Sequence, residues 1–424
     1  MEAAPSFRAV RTPTQGHRRA SRARSTRRRD TRRLTAATPL RRNPLALALA
    51  LALAAAVSLG LARFSYALLL PPMRAELHWS YFTAGAMNTA NAAGYLAGAL
   101  LAPRWFARHD ALRVAAVGGA ATAVILVAHA FAASDALLYA LRTLAGVASA
   151  ATFVGGGLLA ARLSVRAPHP GLVVGLYYGG AGLGILGATA LVPPLPWRAA
   201  WIALGVASLA CTLVTWGVTR SAPDIMETGP SSSAVDPIGV RWAPMGWLLA
   251  SYLLFGFGYI GYMTFIVTLL HEQGIAPAWI DAFYGLLGAG VVASSWLWAG
   301  VLQRFRGGQA LALLNGILAL ATLLPVISAQ PVVVAASCLL FGCTFLSVVA
   351  STTAFVRHNL PAAAWAPGIG AFTIVFALGQ ILGPSLSGRL ADGPGGLRRG
   401  FLCSAIVLAV AAVIALRQRP LKAA

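Results

Sequence analysis

Leu45 to Leu70 reads LALALALALAAAVSLGLARFSYALLL, and the reading of this stretch decides the fold. Its 26 residues are nearly all apolar, enough at about 1.5 Å per residue to cross a hydrocarbon core of roughly 30 Å with some tilt. Pro71-Pro72 is expected to end the span, because proline lacks the N–H that a helix needs. Arg63 breaks the pattern. A guanidinium in lipid is costly, so a charge inside a spanning helix faces a protein interior or a watery space and marks a functional candidate.

The whole chain extends this reading. Of its residues 58% are hydrophobic and 10% charged, where a soluble domain carries about a quarter charged residues. The composition is that of an integral membrane protein. The 44 glycines and 24 prolines suit membrane helices, where small residues allow close backbones and neighbours re-satisfy kinked hydrogen bonds. Cys211, Cys338, Cys343 and Cys403 lie in apolar runs without metal-site spacing, and read as packing residues.

The net charge of +22 is concentrated at one end: thirteen arginines lie in residues 1–42 against Glu2 and Asp30. Such a segment cannot bury a core and is expected to be disordered, and its basic character holds the N-terminus in the cytoplasm. No nucleic acid partner is expected.

Six apolar segments follow one another from residue 44 to 219. Residues 220–244 form a polar linker, RSAPDIMETGPSSSAVDPIGVRWAP, and six more segments occupy 245–417, with a short tail at 418–424. The domains expected are a basic tail at 1–43, a six-helix bundle at 44–219, the linker, a second bundle at 245–417, and the final tail. With Arg63 and Arg142 set aside, basic residues outside the first tail fall thirteen on the side of the termini and five on the other, which puts both termini in the cytoplasm of a cell (inner) membrane.

Three local patterns carry a resemblance. Gly98-x-Leu100-x3-Arg104, followed by Arg108, stands between spans 2 and 3, with Pro103 and Phe106 where the related motif has Asp and Gly. Arg142-x3-Gly146-x3-Ala150 lies in span 4, and Gly379-Gln380-x2-Gly383-Pro384 in span 11. Together with six plus six spans and a central linker, these resemble the major facilitator superfamily. GLARFSYALLLPPMRAELHW and NTANAAGYLAGALLAPR are similar to its YbfB/YjiJ-type branch. The resemblance implies an all-α integral membrane fold of twelve transmembrane helices in two pseudo-symmetric six-helix bundles. It also implies conformational roles for Gly98, Arg104, Arg108, Gly146, Gly383 and Pro384.

Counted from the outer ends of their spans, Arg63 and Arg142 fall at one depth, roughly 10 Å below the surface. Two buried guanidinia repel unless an anion neutralises them, and Arg suits bidentate carboxylate or phosphate recognition. Alternatively, Arg63 caps carbonyls and reaches outward while Arg142 pairs with Asp135 or Glu76. Asn88, Asn91 and Tyr95 share one face of span 2, as a polar cavity wall or as interhelical bonding groups. The glycines of span 5 read as close packing. Tyr252, Tyr259 and Tyr262 share a face of span 7, lining the cavity or forming an interfacial belt. The residues expected to meet substrate or carry coupling are Arg63, Arg142, Tyr66, Asn88, Asn91, Tyr259, Tyr262 and Gln380.

No Asp or Glu lies deep in a span, so the group that couples transport to protons or another ion is unassigned, with Glu76 or Glu272 beside Arg142 as candidates. His129 is expected at the interface. Neither an ATP-binding loop nor catalytic spacing is present, and no metal site or cofactor is expected. The expectation is a monomeric, non-enzymatic secondary transporter of a small organic solute, by preference an organic anion, working by alternating access. A drug-type exporter and a non-transporting receptor on the same scaffold are the alternatives.

Overall fold

The computed structural model describes residues 43–222, 242–361 and 364–421. The basic tail and most of the linker lie outside the described residues.

Twelve long helices run in series: α1 Pro44–Leu77, α2 Tyr81–Phe106, α3 Ala111–His129, α4 Asp135–Arg166, α5 Pro170–Leu191 and α6 Trp197–Thr219, then α7 Gly246–Glu272, α8 Pro277–Leu297, α9 Gln309–Ile327, α10 Pro331–Asn359, α11 Trp365–Ala391 and α12 Gly396–Leu416. Local chemistry sets the starts. Side-chain oxygens of Asn43, Ser80, Asp110 and Ser134 cap α1 to α4, and prolines open α5, α8 and α10.

Eleven of these helices are long and apolar enough to cross a membrane; α2 is long enough but more polar, with Asn88, Thr89 and Asn91 in its middle. Apolar side chains such as Val117, Val124, Leu213, Val332 and Ile406 face outward, which suits a hydrocarbon solvent.

The two halves pack alike. In the first, α2 lies on α4, α3 on α4 and α6, and α1 on α5 and α6; in the second, α8 lies on α10, α9 on α10 and α12, and α7 on α11 and α12. The halves meet through α2 with α11 and α5 with α8, a pair of contacts that the same pseudo-twofold exchanges, and through α1 with α7 near the axis.

The first span differs from its sequence reading in two ways. The helix does not stop at Pro71-Pro72 but runs through both to Leu77, where His78 takes the left-handed conformation at φ 52°. Residues Ala56–Phe64 are π-helical, with Ser65 N–H bonding the carbonyl of Gly60 at 2.9 Å. This wider turn carries Arg63, and such turns occur frequently at functional sites.

At the end opposite the chain's termini, here the far end, α2 and α11 are joined. Both carboxylate oxygens of Asp392 accept from the first backbone N–H groups of α2, at 2.7 Å from Tyr81 and 2.9 Å from Phe82. Deeper, Gly85 lies against the Pro384 carbonyl, and the Thr89 hydroxyl reaches Ile381 O at 2.7 Å and Ser385 Oγ at 2.8 Å. Nearer the termini each helix turns its close contacts to its own half. The close approaches of α2 at Gly94 and Gly98 are to α4, and those of α11 at Gly379 and Gly383 are to α7.

Candidate functional site

Aromatic rings from both halves gather in the core near one guanidinium. Arg63 is 3% exposed and sits with its charge 5.6 Å from the ring centre of Tyr95. Among the described residues its Nε and Nη2 make no hydrogen bond. Tyr259 stacks on Phe255, Phe345 and Phe376 and is hydrogen-bonded by Gln380, while Tyr252 extends the stack through Phe255 and Phe376. From the other half, Tyr178 packs on Phe153 and Tyr177 yet stays 38% accessible, so its ring faces open space.

Arg142 stands beside this group. It donates to the carbonyl of Ala62 at 3.1 Å and to Asn88 Oδ1 at 3.3 Å, and its Nε has no partner. Its guanidinium lies over Tyr66 at 4.6 Å, and the Tyr66 hydroxyl is tied to Ala84 O at 2.9 Å. The Asn88 amide goes on to Thr264 of α7 at 2.7 Å, and Asn91 donates to the Arg142 carbonyl at 3.1 Å. The polar face of α2 therefore binds α4 and α7 together and fixes Arg142 in place.

No carboxylate answers either arginine among the described residues. Asp135 accepts from the Trp79 indole at 2.8 Å; Glu76 accepts from Trp197 at 2.6 Å and pairs with Arg198 at 3.4 Å; Glu272 pairs with Arg74 at 4.0 Å. The pairing of Arg142 with Asp135 or Glu76 is thus overturned, as is a coupling carboxylate beside Arg142. Each of these acids sits at a helix end, where a nearer partner takes it. Arg63 does not reach outward either, because the π-helical turn points it into the core.

A buried cation with unsatisfied N–H groups and no counter-charge is costly, and a bound anion removes that cost. Carboxylate and phosphate oxygens fit the forked donors of guanidinium, and the rings on Tyr95, Tyr178, Tyr252 and Tyr259 suit an apolar or aromatic body.

Arg63, Arg142, Tyr66, Asn88, Asn91, Tyr259 and Gln380 come together around this region. Tyr262 does not: it turns to the second half, bonding Ser337 at 2.8 Å and stacking on Phe341 at 3.9 Å. Gly146 and Gly98 mark the α2–α4 crossing, and Gly383 the α7–α11 crossing, all set by backbone contact. Arg104 and Arg108 are exposed.

His129 is fully buried rather than interfacial, stacked on Trp201 at 4.5 Å with Nδ1 bonded to Ile125 O at 2.8 Å. Tyr178 and Phe153 had no signal in the sequence beyond being aromatics in apolar runs. Nor did Tyr284 of α8, whose hydroxyl donates to Phe64 O at 2.7 Å across the halves.

A family model described as an uncharacterised MFS-type transporter YbfB matches residues 55–416. A chloramphenicol resistance protein of Streptomyces lividans is 27% identical over 373 residues, covering 84% of this chain and 92% of its own. Among solved structures, a mutant of the nucleoside transporter NupG matches with a TM-score of 0.70 at 16% identity, over 87% of this chain and 99% of that one. A bacterial homolog of the human lysosomal transporter Spinster, inward-facing and unoccupied, matches with a TM-score of 0.67 at 15% identity, over 89% and 96%. At these identities the two structures speak for the fold.

Proposed function

This chain belongs to the YbfB-type family of major facilitator transporters, and from that premise we propose that its substrate is a small organic anion with an apolar or aromatic body. The protein is a multi-pass membrane transporter of small molecules. The observation that supports the anion is the pair Arg63 and Arg142, both buried, with three guanidinium nitrogens unpartnered between them. Transport is by alternating access: the substrate enters between α2 and α11 on the side of the termini, and the far end opens when the Asp392, Gly85 and Thr89 contacts release. Movement is coupled to an ion, the chain works as a monomer, and both termini lie in the cytoplasm of a cell (inner) membrane.

A thermal-shift screen of the purified protein against carboxylates, sugars, amino acids and amphipathic drugs tests the substrate class. A ligand at 100 times its Kd stabilises the native state by about 2.7 kcal/mol. Carboxylates are expected to raise the melting temperature; stabilisation by neutral or cationic drugs, without effect of any carboxylate, overturns the anion. That outcome is the one favoured by a second reading, a drug-type exporter, which the aromatic lining and the chloramphenicol resistance relative support.

A further inference from the structure

Away from the central site, α3 and α4 enclose a groove of about 540 Å³ on the outer face of the first half. Val114, Val117, Ala121 and Ile125 of α3 and Leu144 and Val147 of α4 line it. It opens sideways toward hydrocarbon, with Val117 70% and Leu144 52% exposed.

From Arg113 to Ile125 the helix rises about 18 Å, close to the roughly 15 Å that is half of a bilayer's hydrocarbon core. The groove therefore has the depth of one leaflet, which is the length of one acyl chain. It begins at the membrane edge on the side of the chain termini.

The chemistry changes at that edge. Trp105, His109 and Arg113 form the mouth of the groove, with Arg104 and Arg108 exposed in the same connection. Among the described residues the one carboxylate there is Asp110, which caps α3 through Arg113 N–H at 2.9 Å and meets Arg113 Nε at 3.2 Å. Among the described residues Arg113 keeps its two terminal nitrogens free of partners, and its side chain is 71% exposed. Three arginines to one acid attract an anionic group, and an indole at the mouth suits the headgroup region.

We infer that this groove binds an anionic phospholipid of the bilayer, one acyl chain lying between α3 and α4 and the phosphate seated at Arg113 and His109. Apolar walls alone would accept any chain. The basic mouth selects the headgroup, because a net negative head gains charge-assisted hydrogen bonds that a zwitterionic one must share with its own cation.

The test uses the full-length protein, purified in detergent, stripped of lipid and followed by native mass spectrometry. It is titrated with phosphatidylglycerol and with phosphatidylcholine of the same acyl chains. The first phosphatidylglycerol is expected to bind about tenfold more tightly, and Arg113→Gln with His109→Gln to bring the two lipids within about twofold. Ala121→Trp fills the groove while leaving the mouth and the arginines of residues 1–42 in place, and is expected to weaken both lipids. Val117→Trp at a more exposed position serves the same purpose if Ala121→Trp does not fold. Inorganic phosphate is expected not to displace the lipid. Wild-type phosphatidylglycerol binding in the groove-filling variants, or an undiminished preference in the double variant, overturns the inference.

Discussion

Arg142 donates to the carbonyl of Ala62 at 3.1 Å, and Ala62 directly precedes Arg63. One bond thus ties α4 to the π-helical turn of α1 that carries Arg63. Because Arg142 meets a backbone oxygen and an amide oxygen, its charge is oriented but not neutralised.

Substituting each arginine separates structure from binding. Arg63→Gln is expected to fold and insert as wild type, since its Nε and Nη2 have no partner to lose, and to abolish stabilisation by carboxylates. Arg142→Gln loses the same response and also about 1.5–3 kcal/mol of stability, because charged donors to Ala62 and Asn88 are removed. Thermal unfolding with and without ligand reads both, and an unchanged ligand response in Arg63→Gln rules out its role.

Asp392 accepts two N–H groups at the start of α2 from the opposite half of the protein. Losing such a cap costs about 1 kcal/mol, which is about fivefold in the open-to-closed ratio. Asp392→Ala is expected to speed hydrogen–deuterium exchange in the peptide covering residues 81–90 by about that factor. Unchanged exchange there means that other contacts alone hold the far end shut.

Gly184 of α5 lies directly against α1, where an added Cβ would press on the Ala56 carbonyl and come within 2.8 Å of Gly60 Cα. Both obstacles are backbone, so the helices must separate. Gly184→Ala is expected to destabilise by about 1–3 kcal/mol. Gly171→Ala in the same helix meets nothing within 4 Å and is expected to be neutral or stabilising by up to about 1 kcal/mol. Melting temperatures compare the two, and equal effects refute the crossing.

Tyr284 bridges the halves through its hydroxyl to Phe64 O at 2.7 Å, next to Ser65, whose carbonyl receives both Leu68 and Leu69 N–H. Tyr284→Phe keeps the ring and removes the bond. A loss of about 1 kcal/mol is expected in thermal unfolding; unchanged or increased stability means that the Phe64 carbonyl finds another donor.

Much of the fold was legible because lipid imposes a simple rule: every spanning backbone satisfies itself, so apolar runs of helix length become helices. Leu45–Leu70 announced α1, and eleven further apolar segments, six before and six after the polar linker when α1 is counted, announced the helices after it. The error at Pro71-Pro72 arose because the helix restarts at Tyr66 after the π-helical turn and carries both prolines inside it to Leu77, a restart that apolarity does not reveal. Arg63 and Arg142 were visible as charges out of place. Tyr178 was not, since an aromatic residue in an apolar run reads the same whether it faces lipid, core or cleft. His129 was misread for a related reason: sequence puts it at a helix end, and the stacked Trp201 ring that helps bury it lies on another helix.

By itself the sequence determined that the chain is a bundle of membrane helices in two blocks of six, with two arginines and no acid deep in the spans, because hydropathy and charge act residue by residue. Which partners those charges have was decided by tertiary structure alone. Asp135 and Glu76 lie close enough to Arg142 in helix counting to pair with it, but packing turns them to Trp79, Trp197 and Arg198 at the far end. The π-helical turn, set by contacts with α4, α5 and α8, aims Arg63 inward with no counter-charge. Neutralisation depends on distances between helices, and no spacing along one chain contains them.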